Sequence, residues 1–209
     1  MRAEWLQRHP GADAVIVIFG GWAIGPTVWA HLRTGADVLH VSDYRSLADD
    51  LPDLSAYPTR SLIAWSFGVA SYALWQVARP DPFQRRVALC GSTVPVDRQK
   101  GIPPQMVRMT SDNLSHAGFQ QFLTRCHGAE QPAQDIDVAA RRAELDAIAA
   151  RDYGGLSQTW DRIWIATDDR IFPPANLRRA WAATAGVVRE IAAPHLPFAR
   201  WSRFDEVLA

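Results

Sequence analysis

A serine flanked by small residues stands where a buried strand is expected to run into a helix. Ser66 has Ala64 two positions before it and Gly68 two positions after it. The tight turn of a nucleophile elbow needs small residues at both positions, because its backbone passes close to neighbouring elements. The same serine would also suit the cap of a helix that begins at Phe67. The pattern therefore predicts either an activated nucleophile or a helix cap.

A serine hydroxyl becomes a strong nucleophile only when a base accepts its proton, which directs attention to the downstream histidines. His195 follows the last predicted strand, in a loop that also contains Pro194 and Pro197. His116 and His127 come earlier, in a stretch without predicted strands. Because the histidine comes last in the order that accompanies a nucleophile elbow, we expect His195 to be the general base.

Two neighbouring aspartates precede this histidine, in the loop after the penultimate predicted strand. Asp168 and Asp169 are followed by Pro173. In a catalytic triad, an acidic residue orients the histidine that activates the serine. The pattern Gly-x-x-Asp-x-x-x-Pro is common around that acidic residue, and here it aligns on Asp169. Adjacent side chains point in different directions, so only one carboxylate can orient the imidazole. The sequence favours Asp169 and keeps Asp168 as the alternative.

Two backbone N–H groups are needed to stabilise the oxyanion that forms when a serine attacks a carbonyl. We expect one to be the N–H of Phe67, directly after the serine. Gly20 and Gly21, after the first long strand, allow the backbone to approach a substrate closely. The N–H of Trp22 is then the predicted second donor. Together these residues predict a serine mechanism on an acyl carbonyl that needs no metal or organic cofactor.

Strands and helices alternate along the chain and are expected to bring these residues to one edge of a sheet. Apolar, β-branched runs predict strands at 2–7, 14–19, 38–41, 61–65, 86–90, 162–167 and 187–192. The first strand is expected to pair with the second through a turn at 9–11. Helical spacing predicts helices at 26–32, 67–78, 137–150, 176–183 and 198–208.

This alternation predicts a mostly parallel sheet with helices on both faces. Between Lys100 and Thr159 the chain contains no convincing strand, only apolar residues at helical spacing. We predict that roughly residues 100–159 form a helical cap over the carboxyl edge of the sheet, where open α/β sheets bind ligands. The order of the motifs favours an α/β-hydrolase fold in a single domain that covers residues 1–209.

Composition and charge argue against several classes of protein. The chain has 22 basic and 22 acidic residues, so no net charge favours nucleic acid or an anionic membrane. No segment approaches the ~20 apolar residues of a membrane span, and the N-terminal residues do not resemble a secretory signal. Cys90 and Cys126 lack metal-binding spacing, and Cys90 is expected to be a core residue. We expect a cytoplasmic protein.

Several stretches resemble the BioG-type pimeloyl-[acyl-carrier protein] methyl ester esterases. These stretches are Phe19–Trp22, Ser42–Arg45, Ala64–Val69, Asp169–Pro173, Pro194–Phe198, Trp5–Leu6, Arg108–Met109 and Arg141–Leu145. The resemblance covers nearly the whole chain and departs mildly at Phe67 and Ala166, where Met and Gly are more usual. It implies an esterase of biotin synthesis that removes the methyl group from pimeloyl-ACP methyl ester, with Ser66, His195 and Asp169 as its triad.

Apolar side chains near the predicted site suit a channel for an acyl chain. The residues expected to bind substrate are Gly21, Trp65, Met109, Phe119 and Phe198. Four arginines in the cap are candidates for docking an acidic acyl-carrier protein: Arg108, Arg125, Arg141 and Arg142. For each residue, ordinary packing or a solvated helix face is the competing interpretation. The alternative functions are another serine esterase or acyl thioesterase on the same fold, or a hydrolase-like protein that binds an acyl ligand without turnover.

Overall fold

Seven strands form one sheet through the centre of the protein, and the computed structural model describes all 209 residues. The strands are β1 (Arg2–Gln7), β2 (Ala14–Phe19), β3 (Asp37–Ser42), β4 (Thr59–Trp65), β5 (Arg85–Leu89), β6 (Arg162–Ala166) and β7 (Val188–Ile191). Their order is β1-β3-β2-β4-β5-β6-β7. Only β1 runs antiparallel to its neighbour. The α/β-hydrolase prediction is confirmed.

Helices connect the parallel strands. They are α1 (Phe67–Gln76), α2 (Pro104–Asp112), α3 (His116–His127), α4 (Val138–Ala149), α5 (Pro174–Ala180) and α6 (Phe204–Leu208). Three short 3-10 helices add to them, at Pro26–Trp29, Ala182–Val187 and Phe198–Arg200. The helix predicted at 26–32 is therefore only the first of these short turns. No helix combines the length and the apolar character that crossing a bilayer demands.

The core lies on both faces of the central strands. Val17 and Ile18 of β2, and Leu62 and Ile63 of β4, have no exposed surface. A strand covered by helices on both faces needs a continuous apolar run, which explains why these segments do not alternate between apolar and polar residues. Since β2 to β7 are parallel, the residues that follow them meet at one edge of the sheet.

The pairing predicted for β1 is wrong. β1 forms as expected at Arg2–Gln7, but it lies antiparallel against β3, with Ala3 opposite Val41. The reason is that both edges of β2 are already paired, one with β3 and the other with β4. The free edge of β3 is therefore the place where β1 can complete its hydrogen bonds.

The single closing helix predicted at 198–208 is interrupted in the structure. Trp201 is extended, with φ −123° and ψ 153°, and α6 begins only at Phe204. Arg33 causes this break, because its N–H donates to the carbonyl of Ser202 and its carbonyl accepts from the N–H of Phe204. These bonds use backbone groups that a continuous helix would need for itself.

Three helices, α2 to α4, occupy the long connection between β5 and β6, which contains no named strand. We call them the inserted helices. They contact the loops that follow β2 and β3: the indole of Trp22 donates to the carbonyl of Arg141, and the N–H of Tyr44 donates to Glu144. The inserted helices therefore lie over the carboxyl ends of those strands.

Candidate active site

Ser66 forms the turn between β4 and α1 in a backbone conformation that few residues adopt. Its φ is 60° and its ψ is −127°. The side chain makes no capping bond to the helix, although it stands at the capping position. Its Oγ lies instead 2.9 Å from Nε2 of His195. The helix-cap interpretation is therefore wrong, and the strained turn presents the hydroxyl to the imidazole.

Glycines make this turn possible by close backbone contact. A Cβ at Gly68 would lie 2.1 Å from the carbonyl oxygen of Phe19. A Cβ at Gly91 would lie 2.3 Å from the carbonyl oxygen of Ser66. The sequence analysis identified Gly68 but missed the role of Gly91, whose position just beyond β5 was the available signal. Both positions must lack a side chain, Gly68 because the end of β2 lies against the start of α1, and Gly91 because the chain after β5 lies against the serine turn.

His195 is held from three sides in a buried position. Its ring stacks on Phe172, with ring centres 6.0 Å apart and planes at 12°. Trp65 donates its indole N–H to the backbone carbonyl of His195 over 3.1 Å. The next residue, Leu196, donates its N–H to the carbonyl of Cys126 at the end of α3. The imidazole is therefore fixed between the sheet and the inserted helices.

Asp169, and not Asp168, contacts the histidine. Its Oδ2 lies 2.7 Å from Nδ1 of His195. Its Oδ1 accepts the backbone N–H groups of Ile171 and Phe172 at 2.7 and 2.9 Å. With Nδ1 donating to the carboxylate, Nε2 is free to accept from the serine hydroxyl. Asp168 is exposed and its side chain forms no ion pair.

The two predicted oxyanion donors come from neighbouring backbone segments. The N–H of Phe67 is at the first position of α1, where a helix offers it no partner. The N–H of Trp22 donates to no other backbone group. Gly21, beside it, is confined by packing, since a Cβ there would lie 2.7 Å from the indole of Trp65. Their role as oxyanion donors stays a prediction.

A small, mostly apolar cavity opens beside these two residues. Its walls consist of Trp22, Phe67, Ile102, Met106, Val107, Thr110, Phe122, Arg125, Leu145, Arg170 and Ile171. Phe122 packs edge-on against Trp22, with ring centres 5.0 Å apart. Arg125 and Arg170 are the only charged groups of the lining. The character of this lining suits apolar groups, with positive charge at one part of the wall.

The five residues expected to bind substrate do not line this cavity. Trp65 and Phe198 lie beneath the site and pack against each other in the core, with ring centres 5.1 Å apart. Gly21 and Phe119 face a separate groove, and Met109 faces another. Their role in substrate binding stays a prediction, since sequence position near Ser66 and His195 does not determine which way a side chain points.

The residues missed on the cavity wall come from several elements. Ile102 precedes α2, Leu145 belongs to α4, and Ile171 belongs to the loop that holds Asp169. Phe122 and Arg125 are three residues apart on α3 and so share one helix face. Met106 and Thr110 have the equivalent spacing on α2, and the remaining wall residues meet only after folding.

The four cap arginines are in different situations. Arg141 pairs with Glu144 and with Asp43, and is therefore engaged inside the protein. Arg142 donates to two backbone carbonyls near the end of α2. Arg108 is exposed without an ion pair, and Arg125 lines the cavity. Of the four, only Arg108 and Arg125 have a guanidinium group with no hydrogen bond or ion pair inside the protein.

A thiol adjoins the triad from the end of β5. The Sγ of Cys90, a carboxylate oxygen of Asp169 and a ring nitrogen of His195 all lie within 4.8 Å of one another. Full burial raises the pKa of the Cys90 thiol well above its ordinary value, so the sulfur is protonated at neutral pH. A protonated thiol is a poor metal ligand, and the aspartate and histidine already bind each other. The cluster is therefore a packed part of the triad.

Comparisons with known proteins identify relatives along the whole chain. A family model described as pimeloyl-ACP methyl esterase BioG matches residues 1–207. A malonyl-[acyl-carrier protein] O-methyltransferase of Bacteroides fragilis is 34% identical over 186 residues, which cover 82% of this chain and 37% of that protein. This chain thus spans little more than a third of that relative.

Solved structures include a member of the same family. The crystal structure of BioG from Haemophilus influenzae superposes with a TM-score of 0.87 and 27% identity, over 100% of both chains. An alpha/beta hydrolase fold protein from Burkholderia ambifaria gives a TM-score of 0.66 at 16% identity, over 100% of this chain and 92% of that one. The second likeness concerns the fold alone.

Proposed function

This chain belongs to the BioG family, and we propose that it hydrolyses the methyl ester of pimeloyl-ACP, a step of biotin synthesis. The observation that carries the proposal is the buried chain of hydrogen bonds from Ser66 through His195 to Asp169, beside an apolar cavity. A binding protein without turnover has no need for a serine in a strained turn aimed at an imidazole.

The first half of the reaction forms an acyl-enzyme. Ser66 attacks the carbonyl carbon of the methyl ester while Nε2 of His195 takes the hydroxyl proton. Asp169 accepts from Nδ1 and stabilises the imidazolium. The N–H groups of Trp22 and Phe67 donate to the oxyanion; one such donor is worth ~3–4 kcal/mol in acyl-transfer enzymes. As the intermediate collapses, His195 gives its proton to the leaving oxygen and methanol departs.

The second half releases the product. A water molecule loses a proton to His195 and attacks the acyl-enzyme, and Ser66 leaves with the proton returned to it. The product carries a free carboxylate at the former ester end and keeps its thioester to the carrier protein.

The cavity and its surroundings support a carrier-bound substrate. Its apolar lining suits a methylene chain, and Arg125 and Arg170 add positive charge. On α2, Met106 at the rim of the cavity and Met109 outside it have exposed fractions of 42% and 49%, beside the unpaired Arg108. A surface of methionines and a free arginine fits an acidic carrier that delivers an apolar cargo. One relative is named for methyl transfer to a carrier-bound acid, the chemistry that this esterase would reverse.

A fluorophosphonate probe tests the nucleophile first. We expect covalent labelling of folded wild-type protein at Ser66, located by peptide mass spectrometry, and no labelling of Ser66→Ala. Because Ser66 makes no capping bond, the variant should unfold at a temperature close to that of the wild type. Absence of label on folded wild-type protein would remove the claim of a serine enzyme.

Hydrolysis of pimeloyl-ACP methyl ester then separates the candidate reactions. Methyl esterase activity yields carrier protein that still holds the acyl chain, now with a free carboxylate, whereas a thioesterase yields the bare carrier. Intact-protein mass spectrometry distinguishes these products. Expression in a biotin auxotroph that lacks its methyl esterase adds the biological test. Soluble protein that is active on simple esters but restores no growth contradicts the role in biotin synthesis.

A further inference from the structure

Helix α4 buries a carboxylate that the proposed reaction does not use. Glu144 is 1% exposed, and its Oε1 accepts the backbone N–H of Tyr44 over 2.9 Å. Its Oε2 pairs with Arg141, one turn earlier on the same helix. Burial raises the pKa of Glu144, and the arginine opposes that rise. A buried charge is costly unless it is paired, so this contact calls for an explanation.

The loop after β3 is bound to the inserted helices through both backbone groups of one residue, Tyr44. The carboxylate of Glu144 accepts from the N–H of Tyr44, and Arg151 donates to the carbonyl of Tyr44. The preceding residue, Asp43, has a φ of 60° and pairs with Arg141. The backbone around Tyr44 is therefore held by groups that lie on α4 or directly after it.

Tyr44 transmits this constraint to the loop after β2. Its hydroxyl lies 2.9 Å from the carbonyl oxygen of Gly20 and 3.0 Å from that of Val41, and it donates to them. Its ring is fully buried and lies parallel to Phe19, with ring centres 6.2 Å apart. The same Gly20 carbonyl would lie 2.6 Å from a Cβ at Gly68, in the nucleophile turn. Gly20 is thus held between Tyr44 and the start of α1.

The path closes on Trp22, two residues further along. The indole N–H of Trp22 donates to the carbonyl of Arg141 over 2.8 Å. Both ends of the segment from Gly20 to Trp22 are therefore fixed to α4, one through Tyr44 and one directly. The N–H proposed to stabilise the oxyanion is on this segment.

We propose that Glu144 and Tyr44 are positioning residues that hold the Gly20–Trp22 segment in the geometry needed to stabilise the oxyanion. The inference rests on the proposed serine mechanism and adds a role for α4 in the chemical step. Ser42–Arg45 and Arg141–Leu145 are distant in sequence, but on this view both support the same Gly20–Trp22 segment. A displacement of about 1 Å at a reacting group can cost roughly a hundredfold in rate, so a remote support can matter.

The test uses Tyr44→Phe and Glu144→Ala in the full chain, with Glu144→Gln as the conservative variant. Tyr44→Phe keeps the buried ring and removes only the hydroxyl. We expect kcat on p-nitrophenyl butyrate to fall about tenfold or more for Tyr44→Phe and for Glu144→Ala, with KM changed less than twofold. Glu144→Gln still accepts from the N–H of Tyr44, so its kcat should stay within threefold of wild type.

Asp146→Asn is the matched control. Asp146 is an exposed residue of the same helix and accepts from the hydroxyl of Ser111, so it ties α4 to α2 without reaching Tyr44. Its kcat should stay within twofold of wild type. When a fluorophosphonate reacts with Ser66, the phosphoryl oxygen of the probe takes the position of the oxyanion. The rate of this reaction should therefore fall in parallel with kcat in Tyr44→Phe.

Three results would overturn the inference: unchanged kcat in Tyr44→Phe, a loss confined to KM, or an equal loss in Asp146→Asn. If Glu144→Ala fails to fold, Tyr44→Phe decides. A wild-type protein that cleaves no ester and takes no label removes the proposed function, and this inference with it. An active wild type whose Tyr44→Phe variant is equally active removes only the inference.

Discussion

The edge of the sheet that carries the triad and the inserted helices that cover it are built by different means. At the sheet edge, Ser66, His195 and Asp169 are 4%, 1% and 5% exposed. They are positioned by strand ends and by close backbone contacts such as that of Gly68 with Phe19. This region has little freedom to move, because a shift in one backbone displaces another.

The inserted helices are attached mainly through side chains. Arg142 and Asp146 join α4 to the end of α2, and Glu144 joins α4 to the loop after β3. This region also carries the exposed Met106 and Met109. The comparison teaches that Ser66, His195 and Asp169 are positioned by the backbone of the sheet, whereas the inserted helices, to which we assign substrate recognition by proposal, are held mainly by side-chain contacts.

The strongest test of this division is at the acid. Asp169→Asn should lower kcat/KM on p-nitrophenyl butyrate by about 10⁴, because the amide cannot hold the imidazole in the required tautomer. Asp168→Asn is the matched control and should change activity less than twofold, since its exposed side chain contacts no triad member. The reverse ranking would move the acid to Asp168.

Glycines at the sheet edge should tolerate no added methyl group. Gly68→Ala should lower the free energy of unfolding by about 3 kcal/mol or more, since its Cβ would collide with the backbone carbonyl of Phe19. Gly186→Ala is the control, because a Cβ there meets nothing within 4 Å. Urea denaturation measures both. Similar stabilities for the two variants would contradict the rigid-backbone account.

His40 on β3 should make the sheet sensitive to acid. Burial, aided by Arg2, lowers the pKa of His40 in the folded protein from 6.5 to about 4. Glu4 lies 3.8 Å away and would favour the charged form, but it is partly exposed and burial dominates. Between these two pH values the unfolded chain takes up a proton that the folded chain refuses. Stability should therefore fall as the pH falls from 6.5 to 4, by at most ~3 kcal/mol.

Denaturation at several pH values checks this against His40→Leu. The loss of stability between pH 6.5 and 4 should be smaller in this variant than in the wild type. His116→Gln, at the exposed start of α3, should leave the wild-type profile unchanged. Identical profiles for wild type and His40→Leu would show that other groups cause the acid sensitivity.

The smallest effect is expected at the surface of the inserted helices. Arg108→Glu should lower kcat/KM for the carrier-bound ester about fivefold, mainly through slower association, and leave p-nitrophenyl butyrate within twofold. The effect should shrink as salt is raised, because exposed charges are screened. Arg189→Glu, exposed on β7, is the control. Equal loss on both substrates for Arg108→Glu would remove the docking role of this residue.

Much of the fold was predictable because buried parallel strands need continuous apolar runs. β1 and β2 lie at their predicted residues, Arg2–Gln7 and Ala14–Phe19, and the other strands differ by a residue or two at their ends. The pairing of β1 was not predictable from its own residues, since it depends on which strand edges remain free. The break at Trp201 likewise depends on Arg33, which is distant along the chain.

By itself, the sequence determined the nature and order of the proposed reacting groups: a serine between small residues, an aspartate before a proline, and a histidine after the last strand. These are local requirements of turns and strand ends, so the residues carry their own signals. Only the tertiary structure decided between Asp168 and Asp169, excluded a capping role for Ser66, and selected the cavity wall. The physical reason is that the direction of a side chain, and the partner it meets, depend on elements that are far apart in the chain and adjacent only after folding.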